Sequence, residues 1–328
     1  MAERLALVPK MTLGFGENED FALRFDPRDV FIAAGGYDGK VRVYSALSGQ
    51  LHNELLHVAE RTEFERVPMV TSLRWRGAGH LLISTHTDGA INYWRPASGR
   101  LVHQLTEEAD IYALDVDAEG VGFATGSSDS KVRLYDGVKH CLVGALEPQG
   151  PQAPGHSSRV FSLKFSSDSR LLLSGGWDST IHVWDTRTHR AIGALLGAYM
   201  CGDALDLKDD TVLAGSWQPK RQIQLYSLRM MSLLKAVPWA VHKGDLEDSC
   251  HVYSVQFAKT GPALILAAGS RNNEARFFEA TGRNRPLAGI ASVEKAIYSV
   301  DFANTSQKAA LACGDGCIRI LDYSFSET

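Results

Sequence analysis

The stretch from Leu171 to Asp185 (LLLSGGWDSTIHVWD) sets the tightest limit on what this chain can become. An apolar run, a Gly/Asp/Ser turn and an alternating run make a β-hairpin signature. Weaker copies recur along the chain. Self-similarity at a period near forty residues, closing on Trp-Asp, marks a repeat architecture rather than a single irregular core.

Seven segments fit one template of strand, apolar strand, tight turn, third strand and fourth strand. The first runs Phe21–Phe25, Val30–Gly35, Lys40–Tyr44 and Gln50–Leu56. The innermost strands of the others begin at Val70, Ile111, Val160, Ala204, Val252 and Ile297. The seventh segment lacks a fourth strand, while a spare strand-like stretch, Arg4–Phe15, precedes the first. Pairing Arg4–Phe15 with Cys317–Leu321 closes a ring and removes an exposed sheet edge. The expectation is an all-β, seven-bladed β-propeller filling 1–328 as one unit. Its blades fall near 16–58, 68–106, 109–147, 158–197, 200–239 and 250–291, with 295–328 completed by 4–15.

These repeats resemble the WD-repeat (WD40) β-propeller family, most closely in the fourth unit. The resemblance implies that His156, Ser174, Asp178 and Trp184 form a structural hydrogen-bonded set, since a buried indole N–H and imidazole need partners. Most other units lack the Gly-His, so apolar packing is expected to hold those blades. The segment Leu172–Arg187 also resembles a box in WD-repeat substrate receptors of cullin-RING ubiquitin ligases. That likeness would put Asp185 and Arg187 against a ligase adaptor.

Composition narrows function. With 45% apolar and 22% charged residues in 328, the chain is globular rather than disordered. A net charge of −4 gives no general attraction to nucleic acid or anionic membrane, although a local basic patch is allowed. The N-terminus has no signal-peptide pattern, and no run approaches a membrane span. Five scattered cysteines fit a reduced, intracellular and cytoplasmic setting. No nucleophile elbow, phosphate loop or zinc-protease motif occurs. Cys313 and Cys317 have no second ligand pair, and zinc wants four donors. The expectation is therefore no metal, no cofactor and no catalysis.

Two columns of residues carry the functional expectation. Ahead of the turn Asp, or at its equivalent, stand Tyr37, Thr87, Ser128, Trp177, Trp217 and Arg271. At the strand starts stand Phe21, Thr71, Tyr112, Phe161, Asp203, Tyr253 and Tyr298, with Arg159, Asp110 and His251 beside them. In partner-binding members of the family the matching positions surround the mouth of the central channel. Aromatic residues and Arg are the types enriched at binding hot spots. A second arrangement fits as well: the strand-start aromatics pack between blades, and Trp177 and Trp217 lie flat over their own turns. Three long connections, His57–Val67, Glu147–Ser158 and His242–Cys250, should rim the same face. The chain reads as a protein-interaction scaffold, monomeric alone and a subunit of a larger complex. A ligase receptor and a cytoskeletal or ciliary scaffold are the alternatives.

Overall fold

The structure, a computed structural model, describes residues 4–14, 18–57, 67–148, 154–239, 250–291 and 293–326. The described strands form seven four-stranded antiparallel sheets, each a blade. The innermost strands are Asp20–Phe25, Val70–Arg76, Ile111–Val116, Val160–Phe165, Leu205–Lys208, His251–Phe257 and Ile297–Phe302. The described residues contain no helix. The expected all-β propeller with seven blades is what forms.

Ring closure follows the expected pairing. Arg4–Leu13 lies antiparallel to Ile318–Ser326, with Leu13 opposite Ile318, Pro9 opposite Leu321 and Leu5 opposite Phe325. The strap is held by burial. Leu5 packs with Leu321 and Tyr323, whereas Leu13 packs with Leu23 and Ile32 of blade 1 and Ile320 of blade 7. Each buried leucine stabilises the closure by about 1.5–3 kcal/mol. A polar latch sits at the same seam. Asp29 takes N–H bonds from Asn304 and Thr305, both at 2.7 Å, and the Thr305 hydroxyl at 2.7 Å. Partial burial works against the Asp29 carboxylate, yet these bonds hold its pKa below the ordinary value.

The core lies between blades, not within them. Leu173, Val183 and Leu195 of blade 4 pack on Leu205, Val212 and Tyr226 of blade 5, and similar apolar clusters join the neighbouring blades. Close approach at the rim needs glycine. A Cβ on Gly144 would stand 2.7 Å from His189 Nδ1, so the missing side chain is what seats the histidine of the next blade.

Inside blade 4 the expected set is present. His156 Nδ1 pairs with Asp178 at 2.8 Å, His156 Nε2 with Ser174 at 2.7 Å, and Trp184 Nε1 donates to Ser174 at 2.7 Å. The expectation that other blades rely on apolar packing needs correction. In blade 2, His57 reaches Asp88 at 2.8 Å and Asn92 at 2.9 Å, while Trp94 donates to Ser84 at 2.9 Å. In blade 3 a buried Glu107 replaces the histidine, taking Ser127 at 2.7 Å, Tyr135 at 2.9 Å and Arg133 at 2.9 Å. In blade 6, Glu274 accepts the Trp239 indole at 2.5 Å. Most buried polar side chains are paired, and blades 2, 3, 4 and 6 do this with different residues.

Candidate partner-docking face

The turn column lies directly above the strand-start column. The backbone N–H of Tyr37, Thr87, Ser128, Trp177 and Trp217 donates to the carbonyl of Glu19, Met69, Asp110, Arg159 and Tyr199 respectively, at 2.7–3.1 Å. That repeated bond fixes the turns between second and third strands against the residues entering the innermost strands. Both columns therefore share one face.

The strand-start aromatics line the channel mouth, each half-buried. They form two arcs. Phe21 meets Tyr298 edge-on at 5.0 Å, Tyr298 meets Tyr253 at 5.3 Å, and Tyr253 meets Trp217 at 6.2 Å. Opposite them, Tyr112 stacks on Phe161 at 4.7 Å, Phe161 on Trp177 at 5.2 Å, and Trp177 on Tyr199 at 6.1 Å. The Arg159 guanidinium sits 4.9 Å from the Trp177 ring and 5.9 Å from the Tyr112 ring. Trp177 does not lie over its own turn. It leans toward blade 5, donates its indole N–H to Cys201 Sγ at 3.1 Å and keeps 36% of its surface exposed.

Between the arcs is a cavity of about 240 Å3, lined by Phe21, Tyr112, Phe161, Tyr253 and Tyr298 with Met69, Thr71 and Cys201. Its floor is an ion-pair bridge that sequence patterning does not reveal. Asp203 of blade 5 reaches across the channel to Arg24 of blade 1 and to Arg74 of blade 2, the latter at 3.0 Å. Burial pushes the Cys201 thiol up to about 11, so it stays neutral and unreactive near pH 7. Burial also raises Tyr112 and Tyr298 to about 12, and hydrogen bonds to Asp110 and Glu19 add to the rise, so both phenols stay protonated.

The other expected residues fall as follows. Tyr37 is 58% exposed and stands apart from the cavity. Arg271 is exposed on the blade 6 turn, and His251 packs against Trp217 at 4.7 Å. Asp185 caps its own turn, accepting N–H bonds from Arg187 at 2.9 Å and Thr188 at 2.8 Å; Arg187 is exposed. Of the three long connections, 58–66, 149–153 and 242–249 lie outside the described residues. His156, Asp178 and His182 place one donor atom each within 4.8 Å of one another. Both His156 nitrogens are already engaged by Asp178 and Ser174, so that cluster acts as the blade 4 latch.

Seven four-stranded blades closed into a ring define a seven-bladed β-propeller. Matches to known proteins agree with that class. A model described as "WD domain, G-beta repeat" matches residues 18–45 and 151–185, and one for the "Anaphase-promoting complex subunit 4 WD40 domain" matches 57–119. Together with the blade count, these matches show that the chain belongs to the WD-repeat β-propeller family. The chain is 27% identical to Protein ROOT INITIATION DEFECTIVE 3 of Arabidopsis thaliana, over 54% of its own length and 41% of that protein. It is 24% identical to Set1 complex component swd2 of Schizosaccharomyces pombe, over 61% and 54% of the respective lengths. Identity to Mitotic checkpoint protein bub-3 of Caenorhabditis elegans is 30%, over 44% and 38%. The matched region thus spans about half or less of each relative's length.

Proposed function

We propose that this protein is a non-catalytic interaction scaffold that docks a protein partner on the aromatic mouth of its channel. The observation carrying this reading is the cavity of about 240 Å3, walled by half-buried aromatic rings and closed below by the Asp203 bridge. Exposed aromatic surface is costly to leave in water and gains most when a partner covers it. A rigid ring adds little ordering cost on binding. The floor limits entry to one bulky side chain, so the partner contributes an apolar anchor to the cavity and lays its flanking residues over Trp177, Trp217 and Arg159. Tyr37 and Arg271 serve as outlying contacts. A relative whose name makes it a component of the Set1 complex supports a role as a complex subunit.

The test is an affinity pull-down from native extract with wild-type protein and a Trp177→Ala, Trp217→Ala double variant. Losing two hot-spot aromatics at about 2 kcal/mol each should remove the specific partners, since about 1.4 kcal/mol is tenfold in affinity. An unchanged partner list from a folded double variant refutes the docking face.

A further inference from the structure

We propose that the partner segment is acidic, and that it is held beside the aromatic cavity by a cationic sector on the turns of blades 5 and 6. This rests on the docking reading above and names the chemistry of its partner. The chain as a whole is acidic, at −4, so a cationic cluster has to be local. Lys220, Arg221 and Arg271 supply one. All three are exposed, and none of them forms a salt bridge among the described residues. Elsewhere on this face Arg159 is engaged over the Tyr112 and Trp177 rings, and several other cations are ion-paired. Arg133 pairs with Asp129 and Glu107, Arg319 with Asp315, and Lys295 with Glu19.

The sector adjoins the mouth. Trp217, three residues before Lys220, contacts both His251 and Tyr253. Arg271 is close enough to His251 that its charge adds to burial in lowering the imidazole pKa. A ligand anchored against Tyr253 therefore passes directly over these cations.

The backbone sets where these side chains stand on their turns. One or two residues before each third strand, every blade has a left-handed residue. It is Gly39, Gly89, Ser130, Ser179, Arg221, Asn273 and Gly316, with φ between 48° and 80°. Blade 6 adds Arg271 at φ 77°. Glycine takes this conformation freely, whereas a long side chain takes it at a cost. Other turns also hold large left-handed side chains, His140, His189 and Met231 among them, so Arg221 and Arg271 stand out by exposure and charge rather than by backbone. Three cations on two blades suit a short acidic segment. A nucleic-acid polyanion would extend over Glu19, Glu108, Asp110 and Glu294 on the same face and be repelled.

Fluorescence anisotropy of the full chain with short labelled peptides tests this. One peptide carries a phenylalanine followed by glutamates; its variants replace glutamate with phosphoserine, glutamate with lysine, or phenylalanine with glycine. A labelled oligothymidylate is the nucleic-acid probe. The acidic peptide should bind, and binding should weaken as salt rises. Tighter binding of the phosphoserine form assigns phosphate as the preferred group, and equal binding assigns carboxylate. Arg221→Gly and Arg271→Gly together, or Lys220→Glu alone, should weaken the acidic peptide about tenfold. The glycine pair should also keep or raise the melting midpoint, since it relieves left-handed strain. The proposal is overturned if the lysine peptide or the oligothymidylate binds as well as the acidic one. It is also overturned if no acidic peptide binds up to ~1 mM, or if the glycine pair leaves binding intact. The phenylalanine-to-glycine peptide reports separately on the cavity: an acidic peptide indifferent to that change keeps the cationic sector and removes the anchor.

Discussion

Asp20 offers the sharpest test of the energetics of this face. It precedes Phe21 on the innermost strand of blade 1, is 4% exposed, and has one carboxyl oxygen without a hydrogen-bond partner. Burial raises its pKa to about 7; the Arg42 guanidinium pulls against that, and the Asp38 carboxylate adds to it. In the unfolded chain an aspartate titrates near its ordinary value, about 3.9. The difference is about three units, each equivalent to about 1.4 kcal/mol, giving an upper figure of about 4 kcal/mol. The sign follows from proton counts. Between about pH 4 and pH 7 the folded state holds a proton that the unfolded state has released, so stability falls as pH rises through that window. Below about pH 4 the contribution is fully present, and above about pH 7 it is lost. Asp20→Asn fixes the neutral form without changing shape. Urea unfolding should find the variant about 2–4 kcal/mol more stable than wild type near pH 8 and nearly equal to it near pH 4. Asp29, Asp178 and Asp315, whose pKa values are lowered, bias both proteins equally the other way, so the difference between the two curves isolates Asp20. A difference that does not grow with pH, or an Asn variant less stable near pH 8, would refute the account of Asp20 as a buried acid held protonated.

Two further substitutions probe the frame around the site. Asp203→Asn removes the charge that bridges the channel and leaves Arg24 and Arg74 facing each other, so calorimetry or denaturant unfolding should show a loss of about 2–4 kcal/mol. Adding Arg24→Met to that variant should recover part of the loss; no recovery would mean the bridge is not what sets the stability there. Gly144→Ala puts a methyl group 2.7 Å from His189 Nδ1 and should cost about 1–3 kcal/mol in unfolding free energy. His189→Ala in the same chain should relieve most of it, and a double variant as unstable as Gly144→Ala would rule out that contact as the cause.

The repeat could be read from sequence because each blade is built from local contacts. Ile111–Val116, Val160–Phe165, Ile297–Phe302 and Lys308–Cys313 form with the boundaries their alternation implies. Elsewhere a boundary moves by a residue or two: Asp20 joins Phe21 and His86 follows Ser84, whereas the strands expected from Val30 and Ala204 begin at Phe31 and Leu205. The closing strand was legible by count alone. The blade 4 latch was legible through the family resemblance, but those of blades 2 and 3 were not. His57 lies 31 residues from Asp88 and lacks the Gly before it, and Glu107 does a histidine's work in blade 3. The mouth was legible as a column of residue types, but its floor was not. Arg74 and Asp203 are 129 residues apart on non-adjacent blades, and strand periodicity says which side chains face the channel without saying which pair meets across it.

One column that the repeat does make visible explains why binding should concentrate on the face. Three positions after the strand starts stand Arg24, Arg74, Asp115, Lys164, Asp206, Gln256 and Asp301: three cations, three anions and an amide, with no net charge. At this height every blade seam is crossed by a polar contact. Trp75 Nε1 donates to the Arg24 carbonyl at 3.0 Å, Arg74 pairs with Asp115 at 2.8 Å, and Asp115 accepts the Phe165 N–H at 2.8 Å. Lys164 pairs with Asp206 at 2.8 Å, Asp206 accepts the Phe257 N–H at 2.8 Å, Gln256 accepts the Phe302 N–H at 2.6 Å, and Asp301 accepts the Phe25 N–H at 2.8 Å. Breaking a member of this belt removes a bond that crosses a blade seam and leaves a neighbour's partly or fully buried polar group short of a partner. Its charges also cancel, so the channel projects little field toward an approaching partner. The aromatic rings above it cross seams mainly by ring contacts. If the docking reading proposed above holds, specificity would belong to the rim, where side chains can change between blades without opening a seam.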